Sequence, residues 1–118
     1  MVNVERGHII YLDFDPAAGH EQQKRRPALI ISDGYIDPVN NHFAMVVPIT
    51  NRERDNPFHV KVPNDIFLNN GKLLTGVALT EQAKSLDLNG RNAQVVGAID
   101  LESIFFKTVI SYVRSILA

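Results

Sequence analysis

The first legible pattern along the chain is alternation. From Gly7 to Phe14, the residues Ile10, Leu12 and Phe14 fall on one side and Ile9, Tyr11 and Asp13 on the other, which predicts a strand. Pro16 stops it and Gly19 supplies a flexible turn. Ala17 to Arg26 is polar without apolar periodicity and predicts a surface loop. Pro27-Ala28-Leu29-Ile30-Ile31 predicts a short buried strand opened by a proline. Asp33-Gly34 and Asp37-Pro38 mark turns, with a short helical turn between them. Phe43 to Thr50 is the next strand, and Pro48, which has no N–H, places that end at a sheet edge or bulge. Asn51 to Pro57 reads as a second charged loop. Phe58, Val60 and Val62 then alternate with His59 and Lys61, a half-buried strand. Asn69-Asn70-Gly71 is a turn; Gly76–Thr80 and Ala93–Ile99 are further strands. One helix stands out, from Leu101 to Ile116, with Asp100 as N-cap and Ile99 and Ile104 spaced as a hydrophobic staple. Its apolar stripe is Leu101, Ile104, Phe105, Val109, Tyr112, Val113 and Ile116. Short strands followed by one closing helix predict a mainly β (α+β) fold: a small, strongly curved, largely antiparallel sheet or partly open barrel with a C-terminal helix packed on it.

Composition narrows the class. The chain has 118 residues, of which 45% are hydrophobic and 21% charged, ordinary values for a globular protein. No repeat or Pro/Gly/Ser-rich stretch divides it, so residues 1–118 read as a single domain. With no cysteine, disulfides, thiolate metal sites and a thiol nucleophile are excluded. No secretory signal or bilayer-spanning apolar run is legible, so a cytoplasmic, membrane-free protein is expected. The formal net charge of -1 means that a nucleic-acid partner must be held by a local basic patch.

Three segments carry candidate chemistry. Gly19-His20-Glu21-Gln22-Gln23-Lys24-Arg25-Arg26-Pro27 packs an imidazole, a carboxylate, two amides and three cations together. Arginine suits phosphate because its planar fork donates two parallel hydrogen bonds while staying charged. Pro48-Ile49-Thr50-Asn51-Arg52 ends a strand with a hydroxyl able to donate to a phosphate oxygen or to cap a turn. Leu79 to Asp87 is polar and loop-like, and Glu81, Gln82 and Lys84 are placed to line a groove. Singly, each is more ordinary as a solvated loop or a capped turn. Asp13-Phe14-Asp15 after an apolar run has the look of a Mg²⁺-binding phosphatase motif, but that chemistry sits on a parallel α/β sheet needing several helical crossovers. His8, His20, His42 and His59 form no pair at helical metal-ligand spacing, so no metal and no cofactor are expected.

Taken in order, these segments resemble the MazF/PemK family. The matching features are Arg6-Gly7 before an apolar strand, Asp15-Pro16, Gly19-His20-Glu21-Gln22, Arg26-Pro27, Pro48-Ile49-Thr50, Gly76-Val77, Glu81-Gln82, Ser85-Leu86-Asp87 and the final helix. The resemblance covers nearly the whole chain. It implies a CcdB/MazF-like, SH3-like barrel and a homodimeric toxin that cuts single-stranded RNA at short sequences. It also implies a MazE-like antitoxin partner with an acidic, disordered C-terminal tail. By the same resemblance Arg26 and Thr50 are the catalytic pair and His20 a further catalytic residue. Glu21, Gln22, Lys24, Arg25, Asn51, Arg52, Glu81, Gln82 and Lys84 are implied substrate-binding residues. In the PemK/Kid branch the histidine works with an Arg and an Asp on a later strand; here those positions are Leu79 and Glu81, which favours the MazF-type pair. His8 replaces an acidic residue common in the family, and Ile66 to Gly71 is an extended loop that bears on sequence choice. Tyr35, Phe58 and Phe67 are candidate base stackers. A non-catalytic, gyrase-binding toxin of the same fold, with contacts through the C-terminal helix, is the rival.

Overall fold

The computed structural model describes residues 4–14, 25–32, 43–52, 55–88 and 91–117. Among these residues, seven strands and one helix follow in chain order: β1 (His8–Asp13), β2 (Arg25–Ile30), β3 (Phe43–Thr50), β4 (His59–Lys61), β5 (Val77–Leu79), β6 (Lys84–Asp87), β7 (Gln94–Ala98) and α1 (Ile104–Leu117), with a 3₁₀ turn at Thr80–Gln82 between β5 and β6. The strands pair in the order β4-β5-β3-β2-β1-β7, and β6 also pairs with β3. Every pairing is antiparallel. The sheet is curved and open rather than closed, as expected, with the helix packed on one face.

Strand alternation builds two cores. Ile9, Leu29, Val47, Ile49 and Ala78 turn one way and meet Phe105, Phe106, Val109 and Val113 of α1. Ile10, Leu12, Ala28, Ile30, Ala44 and Val46 turn the other way, where Val4, Leu86 and Leu88 cover them. Because both faces are buried, β1, β3 and the Pro27–Ile30 part of β2 are nearly continuous apolar runs.

Four features differ from the expectations. First, β2 starts at Arg25 and not at Pro27, because β1 continues alongside and pairs Leu12 with Arg26 and Asp13 with Arg25. Second, Pro48 lies on a central strand. β3 pairs with β6 up to Val46 and with β5 from Ile49, so the missing N–H falls where the neighbour changes. Third, the polar stretch read as a loop after Leu79 contains strand β6; it is a strand with a single buried apolar residue, Leu86, too weak a period-2 signal to read. Fourth, the helix begins at Ile104. Ser103, not Asp100, caps it, its Oγ accepting from the Phe106 N–H at 3.1 Å. The Asp100 carboxylate instead accepts from the Glu102 N–H at 2.9 Å in a tight turn. Residues 101–103 therefore stay out of the helix, and Ile104 is 84% exposed, so the expected staple does not pack. Phe106 takes a place on the buried stripe beside Phe105, Val109 and Val113. The Asn69-Asn70-Gly71 turn is present, with Gly71 at φ 84°. The turns expected at Asp33-Gly34 and Asp37-Pro38 lie outside the described residues.

Candidate active site

A cleft of about 350 Å³ opens where β2, β3, β4 and the 3₁₀ turn converge; it is lined by Arg26, Thr50, Arg52, Asp55, Asn56, His59, Leu79, Glu81 and Gln82. Arg26 reaches it because adjacent residues of a strand point to opposite faces. Arg25 goes the other way. Its guanidinium donates to the carbonyls of Asn92 at 2.8 Å and Tyr11 at 3.3 Å, and Nη1 lies 3.5 Å from Asp13 Oδ1. Asp13 is buried and also accepts from Asn92 Nδ2 at 2.9 Å. Arg91 donates to the Asp13 and Phe14 carbonyls. This cluster ties β1, β2 and the turn before β7 together. It also gives Asp13 a structural occupation in place of Mg²⁺ binding.

Thr50 ends β3. Its hydroxyl oxygen accepts from the Arg52 N–H at 3.3 Å, which turns the chain and points Arg52 into the cleft. Behind it, Gly76 holds φ 112°, and a Cβ there would collide with the Thr50 carbonyl. Glycine therefore lets the β5 entry press against the strand end that carries the hydroxyl.

The opposite wall is a paired acid and base. His59 Nε2 lies 2.9 Å from Glu81 Oε2, and Asn56 Nδ2 approaches the same oxygen at 3.5 Å. The pairing follows from the backbone. His59 stands opposite Leu79 in the β4–β5 register. The buried Thr80 hydroxyl donates to the Phe58 carbonyl, which brings the next residues, His59 and Glu81, side by side. The Asn56 side-chain oxygen accepts from the Phe58 N–H at 2.8 Å and fixes the turn before β4.

The structure thus brings Arg26, Thr50, Arg52, Glu81 and Gln82 to one place. Asn51 lies outside that cleft, with its side-chain oxygen accepting from Thr75 Oγ1 at 2.8 Å. Lys84 extends over the Phe14 ring, 5.5 Å from its centre. His20, Glu21, Gln22 and Lys24 lie outside the described residues, as do Tyr35 and Arg54. Phe58 meets Tyr112 of α1 edge-on at 6.4 Å, and Phe67 is exposed. His59 was not singled out from the sequence. The alternation of β4 marked it only as a polar position, and the weak cue was an imidazole one strand away from Glu81. Among the described residues no three His, Asp or Glu side chains are grouped to hold a metal ion. A larger hollow of about 670 Å³ beside the start of α1 is lined mainly by residues such as Ile66, Phe67, Ile104 and Phe105 and contains neither an arginine nor a histidine. Of these two, the smaller cleft carries the arginines and the histidine.

Residues 5–117 match the family described as PemK-like, MazF-like toxins of type II toxin–antitoxin systems. The endoribonuclease toxin MazF of Escherichia coli K12 is 31% identical over 100 residues, covering 85% of this chain and 83% of that protein. The endoribonuclease toxin ChpB of the same strain is 37% identical over 100 residues, covering 79% and 78%. A crystal structure of MazE–MazF from Deinococcus radiodurans superposes with a TM-score of 0.81 at 30% identity, covering 99% of this chain and 97% of that one.

Proposed function

Because the chain belongs to the family of PemK-like and MazF-like toxins of type II toxin–antitoxin systems, we propose that it cleaves single-stranded RNA at short sequences without a metal ion. The observation that carries this reading is that Arg26 and Thr50 line one cleft. No helix among the described residues is long and apolar enough to cross a membrane.

RNA supplies its own nucleophile, the ribose 2′-hydroxyl. The protein has to remove that proton, stabilise the five-coordinate phosphorane and protonate the leaving 5′-oxygen. Arg26 stabilises the phosphorane, since a guanidinium stays charged and donates in a fork matched to phosphate oxygens. Thr50 orients the scissile phosphate through its hydroxyl. His20, Glu21 and Glu81 are the family-derived candidates for the base, and of these Glu81 lies within the described cleft. Arg52, with Lys24, Arg54 and Lys84, holds the RNA backbone and makes binding salt-dependent, whereas Arg25, expected among these cations, is turned away from the cleft onto Asp13. Glu21, Gln22, Asn51 and Gln82 contribute to strand and base contacts. The products are a 2′,3′-cyclic phosphate and a 5′-hydroxyl.

As a toxin the protein works as a cytoplasmic homodimer. Its partner is a MazE-like antitoxin whose acidic, disordered C-terminal tail covers the basic cleft; the likeness to a MazE–MazF complex supports this pairing. The rival reading, a non-catalytic gyrase-binding toxin, draws on the exposed Ile116 and Leu117 at the end of α1 but leaves the polar cleft without a purpose.

The test is to map cleavage ends on a mixed RNA pool, with and without EDTA. Cyclic-phosphate ends at a short common sequence, unchanged by EDTA, are expected. Loss of activity in EDTA, or 5′-phosphate ends, would exclude the metal-free route.

A further inference from the structure

We propose that His59 and Glu81 are the acid–base dyad of this cleft: Glu81 takes the proton of the 2′-hydroxyl and His59 protonates the leaving 5′-oxygen. The inference rests on the endoribonuclease reading and assigns its two proton-transfer roles to residues in the described structure.

Three observations carry it. Both side chains line the cleft that holds Arg26 and Thr50, so all four groups border one space. His59 Nε2 and Glu81 Oε2 are in hydrogen-bond contact at 2.9 Å, with the imidazole side chain only 10% exposed and the carboxylate 27%. Among the described residues, Glu81 Oε1 is the one buried side-chain polar atom lacking a hydrogen-bond partner. A buried oxygen in that condition costs about 1–3 kcal/mol, and such atoms call for a functional explanation. Acceptance of a hydrogen bond from a substrate hydroxyl, once the carboxylate turns this oxygen towards the cleft, provides one.

The step balances as follows. The step starts from the protonated imidazole and the ionised carboxylate, a charge-assisted pair. As O2′ bonds to phosphorus, its proton passes to Glu81. As the P–O5′ bond breaks, the imidazolium proton passes to O5′. The site is left with a carboxylic acid beside a neutral imidazole. The starting state is restored by exchange with solvent, Glu81 releasing its proton to water and His59 taking one up, while the Nε2–Oε2 contact holds the two side chains in register. The net result is one proton moved from O2′ to O5′.

The charged and titratable groups that line the cleft with the imidazole are Glu81 on the 3₁₀ turn, Asp55 before β4, Arg26 on β2 and Arg52 after β3. Glu81 contacts the imidazole in a geometry that stabilises an imidazolium directly.

The experiment uses the wild-type cleavage sequence in two oligoribonucleotides, one natural and one with sulfur in place of the bridging 5′-oxygen. The thiolate leaves without a proton, so the second substrate bypasses a general acid and still needs a base. Under single turnover, His59→Gln should cut the natural substrate at least about a hundredfold more slowly and the sulfur substrate near the wild-type rate. Glu81→Gln should be slow on both. The wild-type rate on the natural substrate should fall at alkaline pH as the imidazolium is lost, and the fall should vanish on the sulfur substrate. A His59→Gln protein as fast as wild type, or equally slow on both substrates, overturns the dyad. If His59→Gln does not fold, the wild-type profiles decide, and identical alkaline limbs on the two substrates overturn it. A wild-type protein that cuts no RNA at all would instead remove the endoribonuclease reading.

Discussion

Arg26 on β2 and Thr50 at the end of β3 stand level with each other across neighbouring strands. The pairing of Ala28 with Pro48, carried two residues further along both strands, brings them abreast, and both line the same cleft. Residues two apart share a face, so this juxtaposition is a property of the sheet register rather than of loop conformation. A one-residue slip would turn the guanidinium away from the hydroxyl.

Thr50 therefore serves as a positioned donor, and its effects should depend on the hydroxyl alone. Thr50→Ser keeps it and should retain most activity. Thr50→Val keeps the shape but removes the donor and should slow cleavage by about 10²-fold, the order seen when one preorganised hydrogen bond to a developing charge is lost. Single-turnover rates on a mapped substrate check both; equal rates for Ser and Val would remove the role.

Arg25 separates structure from chemistry. It contacts Asp13 and two carbonyls on the side away from the cleft. Arg25→Ala leaves a buried carboxylate that, among the described residues, keeps the Asn92 amide as its side-chain partner. With Arg25 partly exposed, the loss should be modest, about 1–2 kcal/mol. Denaturant melts should show it, while the rate per folded molecule should fall far less than for Arg26→Ala. A severe kinetic loss with unchanged stability would place Arg25 in the chemistry.

Gly76 supports Thr50 from behind. An alanine there meets the Thr50 carbonyl and must also adopt φ near 112°. Gly76→Ala should destabilise by on the order of 1–3 kcal/mol and slow cleavage as the strand end shifts. A variant with wild-type stability and rate would show that the close approach is not needed.

The sequence made the strong elements plain and hid those that depend on tertiary partners. β1 and β3 were legible because both of their faces are apolar. The helix was legible because its stripe recurs at helical period. β6 was not, since its pairing with β3 is carried by backbone groups and only Leu86 is buried. The helix start was misplaced because Asp100 and Ser103 are both good caps, and only the packing of Phe105 and Phe106 decides between them. Pro48 gave a true local signal, a missing donor, whose answer was a change of neighbour within a central strand. In the site, Arg26 and Thr50 were readable from ordered motifs. That Arg25 and Arg26 part company became visible only once β2 was seen to begin before Pro27. His59 was hidden because a polar residue on a half-buried strand is unremarkable until its neighbour across the turn is known.

The most direct measurement is the single-turnover rate of purified Arg26→Ala against wild type on one mapped single-stranded RNA, with folding of both checked by circular dichroism. A guanidinium that stabilises the phosphorane predicts a fall of at least about a hundredfold in a variant that remains folded. Cleavage by folded Arg26→Ala at the wild-type rate would contradict the account.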